Sequence, residues 1–104
     1  MKTIYKYEVP IEDEFSLNLP KGSTFLSLIN QRGKPVLYFL VDPEEKTIEK
    51  IDFYLAGTGN PILENIDSYE FLGTFEVHPF VFHLFSRKVI SIGVNSVIRS
   101  NQQK

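Results

Sequence analysis

The run Phe80-Val81-Phe82-His83-Leu84-Phe85 places the tightest limit on the fold. It is rich in the aromatic and β-branched residues that suit a pleated surface. Alternation puts Phe80, Phe82 and Leu84 on one face and Val81, His83 and Phe85 on the other. Both faces are then apolar apart from one imidazole, and such a strand belongs in the middle of a sheet or barrel. Val36-Leu37-Tyr38-Phe39-Leu40-Val41, opened by Pro35, has the same two-faced character and is also expected to be central.

The remaining strands are expected around these two. Ile4 to Val9 alternates and is closed by Pro10. Phe15, Leu17 and Leu19 alternate with Ser16 and Asn18, which predicts a strand with one wet face. Pro20-Lys21-Gly22-Ser23 reads as a turn, followed by a strand from Thr24 to Ile29 with Phe25 and Ile29 facing one way and Leu26 and Leu28 the other. Asn30-Gln31-Arg32-Gly33-Lys34 reads as a hairpin loop. Between Thr47 and Leu55 a helix competes, because Ile48, Ile51 and Leu55 sit at helical spacing. The β-branched and aromatic content favours a strand. A tight loop over Ala56 to Pro61 follows, then a polar connection with at most one helical turn. Tyr69, Phe71, Phe75 and Val77 define a further strand, with Gly73 a bulge or a close backbone contact. His78-Pro79 turns it into the central run.

The expectation is an all-β domain over residues 1–88, a small antiparallel sandwich or barrel of about seven strands. Residues 89–104 form a C-terminal extension, strand or short helix, and a candidate oligomer contact. A chain of 104 residues has room for one core. Nine Phe and five Tyr with no Trp suit an aromatic β core, and a net charge of -2 lacks the basic excess of a duplex nucleic-acid binder. No Cys is present, which removes disulfides and thiolate chemistry and fits the cytoplasm. No run reaches the ~20 apolar residues of a membrane helix, so no membrane partner is expected.

Candidate chemistry is sparse. His83 is either a satisfied core histidine or a ligand contact, and His78 lies out of phase with it, so no metal or other cofactor is expected. Gly57-Thr58-Gly59-Asn60 lacks the spacing of a nucleotide-phosphate loop and is either a conformational turn or a set of amides and side chains for phosphate or base edges. Tyr5, Tyr7, Tyr38, Tyr54 and Tyr69 offer stacking faces, Tyr38 and Tyr54 being the ones taken as site residues, with Arg87, Arg32 or Lys50 as phosphate partners. No carboxylate accompanies a nucleophile, so an enzyme is not expected.

The order Tyr5-Lys6-Tyr7 with Pro10, Asp13-Glu14-Phe15, Leu19-Pro20-Lys21-Gly22, Val41-Asp42-Pro43, Gly57-Thr58-Gly59 with Pro61-Ile62, Phe71-Leu72-Gly73-Thr74-Phe75 and Val81-Phe82-His83-Leu84-Phe85 resembles a family of small phage and prophage proteins. The resemblance spans Thr3 to Phe85, and the chain from Ser86 onward departs from it. The family is similar to viral anti-CBASS sponges, which oligomerise and sequester cyclic dinucleotides. The resemblance implies a non-catalytic homo-oligomer, a tetramer, that binds a signal such as 3′,3′-cyclic GMP-AMP in the host cytoplasm. Gly57, Thr58, Gly59 and His83 carry over from the motifs. Asn60, Tyr38, Tyr54 and Arg87 join them by side-chain type. The alternatives are a protein–protein module docking through its β edges or tail, and a small hydrolase of the same signals.

Overall fold

A computed structural model describes residues 1–62 and 65–89. Seven strands are present: β1 (Thr3–Glu8), β2 (Glu14–Pro20), β3 (Thr24–Gln31), β4 (Lys34–Val41), β5 (Ile48–Gly57), β6 (Glu70–Val77) and β7 (Phe80–Lys88). They form a three-stranded sheet, β1-β4-β3, and a four-stranded sheet, β2-β5-β7-β6. All pairings are antiparallel. The fold is a two-sheet sandwich, and the two most apolar runs, β4 and β7, are interior strands. The core lies between the sheets, where Leu19, Leu37, Phe39, Val41, Phe53, Leu55, Phe75 and Leu84 are buried. Phe15 stacks on Phe53, with ring centroids 4.8 Å apart. Among the described residues no helix is long and apolar enough to cross a membrane.

The ambiguous segment after Thr47 is a strand, and it reaches two residues further than expected. Ala56 and Gly57 belong to β5, paired with His83 and Phe82. The polar connection holds a single 3₁₀ turn, Ile66–Ser68. Gly73 has both of its expected roles. The β6–β7 register slips between Phe71 and Gly73, leaving Leu72 as the extra residue. A Cβ on Gly73 would lie 3.1 Å from Leu28 Cδ2, so the glycine lets β3 approach β6. Val89 donates its N–H to Lys50 C=O at 2.9 Å, one step beyond β7. The expected strand or helix in the C-terminal extension lies outside the described residues, save for Val89.

Two expectations need correction. In β3 strict alternation fails, because the register with β4 slips between Phe25 and Ser27. Leu26 is the bulged residue, so Phe25 and Leu28 pack on the core while Leu26 and Ile29 are exposed. The second concerns β7, which is central but has only one covered face. Leu84 is fully buried, whereas Val81 on the other face is 38% exposed; Phe80, on Leu84's own face, is 63% exposed at the hairpin tip. A two-layer sandwich buries only the inner face of each sheet.

The bulge makes two neighbouring leucines unequal. Leu28→Ala is expected to cost about 2 kcal/mol of unfolding free energy and Leu26→Ala about 0.5 kcal/mol or less, read by urea denaturation. Equal costs would contradict the slipped register. A second test uses Tyr7, whose phenol is pushed above the ordinary 10.0 by burial and then by the neighbouring Tyr5. A raised pKa means that its contribution to stability is complete below about pH 10 and is lost as the pH climbs through the folded-state value. Tyr7→Phe should therefore lose less melting temperature than the wild type above pH 10.

Candidate functional site

The β5–β7 register decides which polar groups meet. It sets Asp52 opposite Arg87, Tyr54 opposite Phe85 and Ala56 opposite His83, all on the outer face of the four-stranded sheet. The β6–β7 pairing adds Phe71 opposite Phe85 and Thr74 opposite His83. Tyr54, His83 and Arg87 thus share one face.

Arg87 is the most constrained cation there. Its Cζ lies 4.6 Å from the Tyr69 ring centroid, a cation–π contact. Its Nη1 donates to Ser68 Oγ at 3.1 Å, and its Nη2 lies 3.7 Å from Asp52 Oδ2. Asp52 also meets Lys50 Nζ at 3.6 Å, so one carboxylate stands between two cations. The half-exposed setting makes these ion pairs weak in energy. Their effect is orientation: the guanidinium is held over the Tyr69 ring by contacts to Ser68 and Asp52. Tyr69 also lies 6.4 Å from Tyr54, which is 7% exposed despite its outward position. Phe71, 55% exposed, leans on Phe85 at 5.4 Å between ring centroids.

Arg87 and Tyr69 stand on a rim. On one side a cleft of about 650 Å³ enters the end of the sandwich, floored by Phe25, Phe39, Ile51 and Leu72. The polar lining comprises the Thr24, Ser68 and Ser86 hydroxyls, the Glu70 carboxylate and the Lys88 ammonium, with Ser23 buried and its hydroxyl bonded to Pro20 C=O. Lys88 lies 3.9 Å from Glu49. On the other side a shallower polar depression of about 300 Å³ lies on the outer sheet face, beside Ser16, Lys50 and Asp52. An apolar floor with a few convergent polar groups, at this volume, is the usual form of a small-molecule site.

His83 is neither a core histidine nor part of this rim. It projects from the outer face, with Nε2 2.7 Å from Thr58 Oγ1 and Nδ1 2.9 Å from Thr74 Oγ1. Thr58 Oγ1 also lies 3.3 Å from Val81 C=O, to which it donates. The hydroxyl of Thr58 then accepts from Nε2–H, and Nδ1 accepts from Thr74. Three of the chain's motifs, around Thr58, Thr74 and His83, therefore meet in one hydrogen-bonded cluster. It ties the loop after β5 to β6 and β7.

That loop is a closed turn. Asn60 N–H donates to Gly57 C=O at 3.0 Å and Thr58 N–H donates to Val81 C=O at 3.0 Å, so both amides are spent inside the protein. Gly59, with φ +87°, makes the turn possible. Tyr38 lies apart from all of this. It sits in β4 of the other sheet, where its hydroxyl donates to Gln31 Oε1. Sequence reading named Tyr69 among the candidate pocket aromatics but missed Asp52, Phe71 and Thr74, which the cross-strand register places, and Ser68, which the 3₁₀ turn before β6 places. Among the described residues no three His, Asp or Glu side chains converge as metal ligands.

The turn separates two glycines. Gly59→Ala places a Cβ at positive φ and is expected to cost about 1 kcal/mol. At Gly57 a Cβ would meet Asn60 Nδ2 at 2.7 Å, the far end of a flexible side chain that can swing away. Gly57→Ala should therefore cost less, as thermal denaturation would show.

No curated protein and no solved structure matches the chain at a significant level. A family model does match residues 1–91, a span that includes every described residue, and by that match the chain belongs to the family described as a domain of unknown function, DUF7352.

Proposed function

We propose that this protein binds a cyclic dinucleotide signal, such as 3′,3′-cyclic GMP-AMP, and sequesters it without cleaving it. In this reading it is a phage-encoded protein acting in the host cytoplasm against nucleotide-signalled immunity. The observation that carries the proposal is the Arg87 guanidinium, held over the Tyr69 ring at the rim of the 650 Å³ cleft. A cyclic dinucleotide presents two phosphates and two bases. Arg87 and Lys88 supply cations for phosphate oxygens, Ser68 and Ser86 supply hydroxyls, and the apolar floor accepts a base. Sequestration needs affinity and copy number rather than turnover, so it makes no demand for a nucleophile and base. Thr58, Thr74 and His83 shape the adjacent sheet face in this reading, and the turn amides of Thr58 and Asn60 are not phosphate ligands.

A second reading rests on a different observation. Phe80 is 63% exposed, Phe71 55% and Val81 38%, and all three belong to the β6–β7 hairpin. A protein partner docking on that hairpin would cover them.

The test incubates the protein with a panel of cyclic di- and trinucleotides, assays the filtrate for free ligand, then heats the protein and identifies what is released. Depletion of one nucleotide with intact recovery is expected. A linear product would overturn the non-cleaving mechanism, and no depletion of any member would favour the docking reading. Arg87→Ala should weaken binding by about ten- to a hundred-fold, the loss of a charge-assisted contact. Arg87→Lys should recover only part of it, since the planar fork of donors is lost.

A further inference from the structure

The two open sides of the sandwich differ. Where β3 and β6 approach, both edges carry a bulge, at Leu26 and Leu72, and Asn30 Nδ2 clasps Glu76 C=O at 2.8 Å. On the opposite side lie the edges β1 and β2, with an apolar groove of about 430 Å³ lined by Tyr7, Val9, Pro10, Phe15 and Leu17 between them. Tyr5 faces inward on that side yet remains 38% exposed.

Backbone phase shows what each edge presents. Val9 N–H donates to Pro35 C=O at 2.9 Å, and Val9 and Pro35 continue the β1–β4 register. Residues Thr3, Tyr5 and Tyr7 therefore turn their amides toward β4, and Ile4, Lys6 and Glu8 turn theirs outward. On β2 the bond from Leu55 N–H to Asp13 C=O sets Glu14, Ser16, Asn18 and Pro20 outward. Pro20 has no N–H to offer. Among the described edges, β1 alone has neither a bulge nor a proline, two devices that keep an edge from pairing; its one lysine, Lys6, is met by Ile4 in the register below.

We propose that the free edge of β1 pairs antiparallel with β1 of a second copy, about a two-fold axis through Tyr5. In that register Lys2 faces Glu8 of the partner and Ile4 faces Lys6, with the outward amides exchanging hydrogen bonds. No like charges are opposed. A register centred on Lys6 would set two lysines face to face, and one centred on Ile4 would set Lys2 against Lys6. Backbone phase restricts the axis to a residue position, and among the three central positions Ile4, Tyr5 and Lys6 the charge pattern selects Tyr5. The two three-stranded sheets become one continuous six-stranded sheet, and each copy covers the other's exposed Tyr5. This inference is independent of the ligand reading.

Sedimentation equilibrium of the full chain over a concentration series tests it. The mass should rise from the 12.0 kDa of one chain toward twice that value. Lys6→Pro removes an outward N–H that no bond among the described residues uses, and should return the protein to monomer with its melting temperature nearly unchanged. Lys2→Glu should weaken the dimer, and Lys2→Glu combined with Glu8→Lys should restore it. Because the chain has no Cys, Tyr5→Cys should give a disulfide-linked dimer on mild oxidation while Lys6→Cys should not. A monomer at every concentration would overturn the proposal. So would a dimer indifferent to Lys6→Pro, or one that cross-links through Lys6→Cys instead of Tyr5→Cys.

Discussion

The antiparallel pairing of β5 with β7 is the interaction on which the rest depends. It seats Leu55 against Leu84 in the core and Asp52 against Arg87 on the outer face. A slip of one residue would turn Phe85 and His83 inward and Leu84 out, reversing every buried and exposed position of the strand. Leu84, with no exposed surface, holds that phase by hydrophobic burial, worth about 2 kcal/mol for a leucine side chain. The outer-face chemistry is thus fixed by core packing. Arg87 reaches Tyr69, Ser68 and Asp52 because Leu84, three residues earlier, has nowhere else to go.

A second constraint is the unequal closing of the sandwich. The Leu26 and Leu72 bulges increase local twist, and Gly73 lets Leu28 fill the space between β3 and β6. That side is closed by Leu28 and by the Asn30–Glu76 bond, and opens toward Phe25 and Leu72 as the cleft. The β1–β2 side has no equivalent, and its aromatic residues are left half covered. The same asymmetry leaves one edge available for pairing and one end open as a cleft.

Much of the fold was legible in the chain itself. Two-faced apolar runs marked β4 and β7 as interior, and Gly73 in a strand pattern signalled both its bulge and its close contact. Leu26 gave no such signal. It is apolar in an apolar strand, and only pairing with β4 reveals that it is the extra residue. The candidate site was less legible because its partners are distant in sequence. Tyr54 and Arg87 are 33 positions apart yet lie on one face, by the register of two strands. Tyr38 carries the same side chain as Tyr54 and ends in the other sheet. Side-chain type suggests what a residue can do, and the register decides with whom it does it.

The central claim is therefore the β5–β7 register, and cross-strand nuclear Overhauser effects between backbone protons measure it directly. The account predicts contacts that place Leu55 opposite Leu84, Asp52 opposite Arg87 and Ala56 opposite His83. Contacts placing Leu55 opposite Phe85 or His83 would contradict it, and with it the shared face of Tyr54, His83 and Arg87.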